Sequence, residues 1–211
     1  MKNILPGKIP IFPLSGVIFF PNTNLPLNVF ENRYLDLVND CMKKDKYMGM
    51  IQLKNDALQA YDVGCLGKID GFQKNPDGRI LINLKGVTRF EIINEAQSKK
   101  LYREFFVKYE KFSNDITDKN EDLIINEILM AQLMKNVKHF FENNGLKLNW
   151  TEFDTLDKAQ QIKTIAMIAP ISNGEKQKLL ETISLNNKIE VMLDIIKFYL
   201  HNNNLNNSTI Q

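Results

Sequence analysis

The chain carries two cysteines and two histidines, the side chains best suited to nucleophilic, redox or metal chemistry. Cys41 and Cys65 lie far apart, with no C-x-x-C spacing that would mark a zinc ribbon or a dithiol centre. Cys41 falls on the apolar face of a predicted helix and Cys65 inside a predicted strand, where a free thiol packs as a small hydrophobe. His139 and His201 sit on different predicted helices, so no local metal pair exists, and His139 is on the polar side of its helix. A phosphate-cradling loop needs a hydroxyl residue after its Gly-Lys. Gly7-Lys8 and Gly67-Lys68 are each followed by Ile. Gly64, Gly67 and Gly71 do not fit G-x-G-x-x-G, and no serine stands in G-x-S-x-G. The residues therefore predict no catalytic centre, no cofactor and no metal site, and the chain is expected not to be an enzyme.

The elements that would position any site divide into two kinds. Lys8–Leu14 and Leu25–Phe30 are short apolar runs interrupted by prolines, and Pro lacks a ladder donor, so both are expected at sheet edges or strand ends. Glu31–Lys44 has helical spacing, with Tyr34, Leu35, Val38, Cys41 and Met42 on one face. Tyr47–Leu53 and Val63–Gln73 read as strands. Asn75-Pro76-Asp77-Gly78 is a turn in which Pro76 pre-sets φ and Gly78 accepts positive φ. After it Ile80, Ile82 and Leu84 alternate with polar residues, Gly86 is expected to break the strand, and Thr88–Ile93 and Tyr102–Tyr109 continue the β pattern. Phe19-Phe20-Pro21 forms an apolar loop between strands. It is either tucked into the sheet or an exposed anchor for a partner.

Past a polar stretch at 112–119 the period changes to 3.6. Met130, Leu133, Met134, Val137, Phe140 and Phe141 make a wide apolar stripe, extended by Ile124, Ile125, Ile128 and Leu129. Asp118 and Glu121 have N-cap and N3 spacing before it. A second helix runs from Leu156 to Ala169, before Pro170. Ser172 and Glu175 form a capping box for a third that carries Leu179, Leu180 and Ile183. A fourth presents Ile189, Met192, Leu193, Ile196, Tyr199 and Leu200. The expected organisation is a β domain at 1–112, a helical bundle at 119–202 and a polar tail at 203–211.

Charge narrows the function classes. Residues 1–111 hold 17 bases and 12 acids, an excess of +5, and the remainder hold 10 and 13, giving −3. That balance is too small, and arginine too rare at four of 27 bases, to favour nucleic acid as partner. No apolar run approaches the ~20 residues that span a bilayer. The proline-broken start lacks a secretory segment, so no membrane association and a cytoplasmic location are expected.

Read together, several segments closely resemble the N-terminal domain of Lon proteases. They are Ile9-Pro10-Ile11-Phe12-Pro13-Leu14, Val17-Ile18-Phe19-Phe20-Pro21, Leu25-Pro26-Leu27, Glu31 with Arg33-Tyr34, Val63-Gly64-Cys65-Leu66-Gly67-Lys68-Ile69, Asp77-Gly78-Arg79, and Leu84-Lys85-Gly86-Val87-Thr88-Arg89-Phe90. The helical half, from Gly145-Leu146 to Leu179-Leu180-Glu181, resembles stand-alone bacterial members that lack the ATPase and protease domains. The resemblance implies an α+β fold, a PUA-like β pseudo-barrel with one helix followed by an α-helical bundle. It also implies a non-catalytic protein- or peptide-binding role. The implied partners are unfolded or tagged polypeptides, with a protease or chaperone as a candidate associate, and the implied state is a monomer or weak homodimer. PUA-like barrels also occur in RNA-binding proteins, which is the alternative reading. The candidate protein-binding residues are Phe19, Phe20, Arg33, Tyr34 and Arg89. The two arginines either pair with Glu31, Glu91 or a helix end to hold the barrel, or orient a peptide.

Overall fold

A computed structural model describes residues 5–54, 59–116 and 125–208, with side chains described as far as residue 202. Two compact units divide at 119/120. The first holds β1 (Lys8–Leu14), β2 (Asn24–Val29), α1 (Asn32–Met42), β3 (Tyr47–Gln52), β4 (Val63–Lys74), β5 (Ile80–Ala96), β6 (Glu104–Lys108) and a 3-10 turn, Glu110–Asp115. The strands form one mixed sheet in the order β2-β5-β4-β3-β1-β6, and β6 also pairs with β5. The sheet thus curls back on itself into a pseudo-barrel, with β2 outside the ring and paired on one side only among the described residues. Ile9, Ile11, Ile51, Leu66, Phe90, Phe105 and Val107 fill its interior.

Two expectations need correction. β1 is not an edge strand despite Pro10 and Pro13. Its two neighbours share it end to end: Lys8–Pro10 pair with β6 and Ile11–Leu14 with β3 in parallel. Each half of β1 therefore has an unpaired side on which a missing N–H costs the ladder nothing. Gly86 does not end a strand either, since β5 runs 17 residues through it. Leu66 is opposite Thr88 and Gly67 opposite Gly86, so Val87 is an extra residue in a bulge that re-aims the strand without stopping it. The turn at 75–78 forms as its residues imply: the Asn75 N–H donates to the Arg79 carbonyl at 2.9 Å and Gly78 has φ +88°.

On α1 the buried residues are Tyr34, Leu37, Val38 and Cys41, a stripe rotated toward Leu37 from the one expected. The second unit comprises α2 (Glu127–Asn143), a single turn α3 (Trp150–Phe153), α4 (Lys158–Ile168), α5 (Asn173–Glu181) and α6 (Leu185–Ser208). Asn126, not Asp118, caps α2, its side chain accepting from the Leu129 N–H. Asp118, Glu121 and Ile124 lie outside the described residues. Met130, Leu133, Val137, Phe140 and Phe141 are buried as expected, whereas Ile128 is 76% exposed, so the apolar stripe is narrower than its spacing suggests. The capping box forms, with the Glu175 N–H donating to Ser172 Oγ and the Ser172 N–H to the Glu175 carboxylate. Ile183 lies beyond α5 and is exposed. α6 extends to Ser208, into the stretch read as a polar tail.

Candidate functional site

The five residues singled out from the sequence fall in three places. Phe19 and Phe20 are 2% and 0% exposed. Their loop is clamped on β5: the Asn22 N–H donates to the Gly86 carbonyl at 3.0 Å, and the Gly86 N–H donates to the Thr23 carbonyl at 2.8 Å. Thr23 Oγ1 donates to the Phe20 carbonyl at 2.7 Å. A Cβ at position 86 would lie 2.0 Å from that carbonyl oxygen, so only glycine admits this approach. Side chains so buried cannot present an anchor to a partner. The exposed-anchor reading of Phe19 and Phe20 is replaced by a core role.

Arg33 and Tyr34 open α1. The Tyr34 ring lies on Phe12, with centroids 4.2 Å apart, and the Arg33 guanidinium stacks over Tyr34 at 4.5 Å while bonding Glu31. Burial raises the Tyr34 phenol pKa, partly offset by Arg33. Arg33 remains half exposed. Arg89 is 4% exposed, and its partner is Asp115, not Glu91. Its Nε and one terminal nitrogen donate to the two carboxylate oxygens at 2.9 and 2.8 Å, and its backbone N–H donates to the same group. Phe112 covers the guanidinium plane at 4.3 Å. This bidentate, stacked pair fastens the 3-10 turn to β5. A peptide carboxylate has no place at a fork already filled.

A concave surface of the sheet unit lies elsewhere, between the C-terminal end of α1, the start of β1 and the approach to β6. None of the five residues lines it. A cleft of about 80 Å³ is lined by Ile9, Pro10, Cys41 and Tyr47, and an adjoining one of about 440 Å³, lined by Asp36, Lys43 and Leu101, shares Asp40, Lys100 and Tyr102 with it. At its centre Tyr102 Oη donates to Asp40 at 2.7 Å. Lys100 Nζ donates to Tyr102 Oη at 2.7 Å and pairs with Asp40 and Glu104, which also holds Lys8. The Tyr102 hydrogen bond keeps the Asp40 carboxyl below its usual range. Burial pushes Glu104 up, but Lys8 and Lys100 outweigh it and its pKa is lowered. Lys100 is held charged by Tyr102 and Glu104, and burial lifts the Tyr102 phenol to about 12. The shifts of Asp40, Glu104, Lys100 and Tyr102 all run away from neutrality, so the network ties α1 to β6 and is not poised to move a proton. The Cys41 thiol, pushed to about 12 chiefly by burial, donates to the Tyr47 carbonyl and is no nucleophile.

Sequence reasoning missed this cluster because Asp40 and Tyr102 are 62 residues apart. The one local signal was Lys100, Tyr102 and Glu104 at alternate positions. Among the described residues no group of three or more His, Cys, Asp or Glu side chains could hold a metal ion, and no helix is long and apolar enough to cross a membrane.

A curled mixed sheet carrying one helix, followed by a helical unit, places the chain among two-part α+β modules. Residues 8–197 match the family described as the ATP-dependent protease La (LON) substrate-binding domain, and the chain belongs to that family. A Lon protease of Syntrophus aciditrophicus is 25% identical over 93% of this chain, and one of Brevibacillus choshinensis is 25% identical over 90%. The chain spans about a quarter of the length of these relatives, 26% and 24%. Two solved structures share the fold. A Lon N-terminal domain protein from Xanthomonas campestris has TM-score 0.64 at 22% identity, covering 89% of this chain and 97% of that one. The N-terminal domain of a Mycobacterium avium complex Lon protease has TM-score 0.65 at 16% identity, covering 90% and 98%.

Proposed function

We propose that this chain binds polypeptide, in unfolded or tagged form, and breaks no bonds itself. It would serve as a recognition module in the cytoplasm, as a monomer or weak homodimer, for a protease or chaperone that processes what it holds. Membership of a substrate-binding family over residues 8–197 carries the reading. The chemistry of the sheet unit is consistent with it: Asp40, Lys100, Tyr102 and Glu104 of its cleft are paired with one another, both cysteines are buried, and Arg89 is occupied by Asp115. The test is fluorescence anisotropy with reduced, carboxymethylated α-lactalbumin and with the native form. Preferential binding of the unfolded form is expected at concentrations up to about 100 μM, a range that captures weak recognition. No binding of either would refute the proposal. A structured RNA hairpin serves as the control, because binding that falls steeply with salt would favour the nucleic-acid alternative.

A further inference from the structure

β2 is the one strand of the sheet order with a partner on a single side among the described residues. Its register runs antiparallel to β5 from Asn24 opposite Lys85 to Val29 opposite Ile80. The Gly86 N–H donates to the Thr23 carbonyl, which sets the phase of that ladder. Backbone groups in an antiparallel strand turn alternately toward and away from a given neighbour. Those of Thr23, Leu25, Leu27 and Val29 therefore face β5, and those of Asn24, Pro26 and Asn28 face outward. Pro26 agrees with this phase, since it lies in the outward set, where its absent N–H removes nothing from the β2–β5 ladder.

We infer that the outward edge of β2 is a docking strand that takes an extended segment of polypeptide as an added strand of the sheet. The inference rests on the polypeptide-binding reading above and says how the chain is held. The groups on offer are the N–H and C=O of Asn24 and of Asn28 and the C=O of Pro26. Only a backbone with its own N–H and C=O groups unused complements such a row, which selects an extended chain over a helix. Asn24, Pro26 and Asn28 are all exposed. Just past the strand Phe30 is 65% exposed, and Leu81, opposite Asn28 in the register, is 39% exposed. Side chains on one face of an added strand would meet Pro26 and Phe30, so alternating apolar residues are favoured there. Main-chain pairing supplies affinity with little demand on sequence, which suits a binder of varied unfolded chains. A bare edge would also template open-ended pairing. Pro26 interrupts the row at its middle, so the edge offers donors at Asn24 and Asn28 only and holds a short strand.

The test uses the full chain and a capped, fluorescent peptide of alternating valine and threonine with lysines at its ends. Two isomers are N-methylated, one on every valine amide and one on every threonine amide, which blocks one edge of the peptide and leaves its side chains in place. One isomer should bind like the parent and the other about tenfold or more weakly, each lost main-chain hydrogen bond contributing a few-fold. Asn28→Pro, which deletes an outward N–H, and Phe30→Ala should each weaken the parent peptide several-fold. The isomer comparison needs no variant, so a failure of Asn28→Pro to fold leaves the test intact. Equal binding of both isomers, or indifference to folded Asn28→Pro and Phe30→Ala, overturns the edge and leaves polypeptide binding standing. So does binding of carboxymethylated α-lactalbumin without binding of the parent peptide. Failure of both ligands to bind overturns the edge and the function together.

Discussion

Gly86→Ala tests the clamp that holds the Phe19-Phe20 loop. At an unconstrained position, alanine for glycine stabilises by about 0.4–1 kcal/mol, because it restricts the unfolded chain. Here the new Cβ would stand 2.0 Å from the Phe20 carbonyl oxygen and close to Pro21 backbone, neither of which can rotate away. The loop must lift. Lifting breaks the hydrogen bonds from Asn22 to Gly86 and from Gly86 to Thr23, at about 0.5–1.5 kcal/mol each. Re-exposing half of Phe20, now wholly buried, adds about 1 kcal/mol. The sum is a loss of about 2–4 kcal/mol, opposite in sign to the unconstrained case. Urea unfolding followed by far-UV circular dichroism in the sheet region should show the midpoint falling by about 1–2 M at a typical slope. The only tryptophan, Trp150, lies in the helical unit and gives a separate signal. An unchanged or raised midpoint would show that the loop accommodates a side chain, and the clamp would be wrong.

Asp115→Ala should destabilise the sheet unit by about 3 kcal/mol, because it strips a carboxylate from a guanidinium that is 95% covered. The double variant Arg89→Met with Asp115→Leu should recover most of that loss, and chemical denaturation of the three proteins decides it. Asp40 and Glu104 have lowered folded pKa values, so their contribution is present above the ordinary carboxylate range and is lost as pH falls through the lowered values. Tyr102→Phe removes the donor to Asp40, and carboxyl-carbon NMR should find the Asp40 pKa moved up; an unmoved titration would discount that hydrogen bond. Ser172→Ala breaks the capping box of α5 and should cost about 1 kcal/mol in thermal unfolding, with Ser172→Asp restoring most of it.

What could be read from the residues was what is local. The turn at 75–78, the alternation of Ile80, Ile82 and Leu84, the Ser172–Glu175 box and the stripe from Met130 to Phe141 each lie within one element, where period and turn chemistry act directly. α3 is a single turn, too short for a 3.6-residue period to register. The central place of β1 stayed hidden because proline content speaks of one strand's donors and not of neighbours that divide its length. For Arg89 the sequence offers Glu91, two residues away, or a helix end as partner. Its partner Asp115 comes from a 3-10 turn 26 residues on that no periodicity announces. The cleft is the extreme case, since it is assembled from the end of α1, the start of β1 and the approach to β6, each unremarkable alone.

The pairing of Lys8 with Phe106 makes the first strand of the sheet wait for the last. At a synthesis rate of ~5–20 residues per second, roughly 100 residues take about 5–20 s to appear. Through that interval Ile9 and Ile11 have no β6 beside them, and the pseudo-barrel cannot shut from its N-terminal end. Contacts so distant along the chain also slow folding itself. A nascent chain of this protein therefore passes several seconds in the condition it is proposed to recognise in others, as an extended apolar strand looking for an edge.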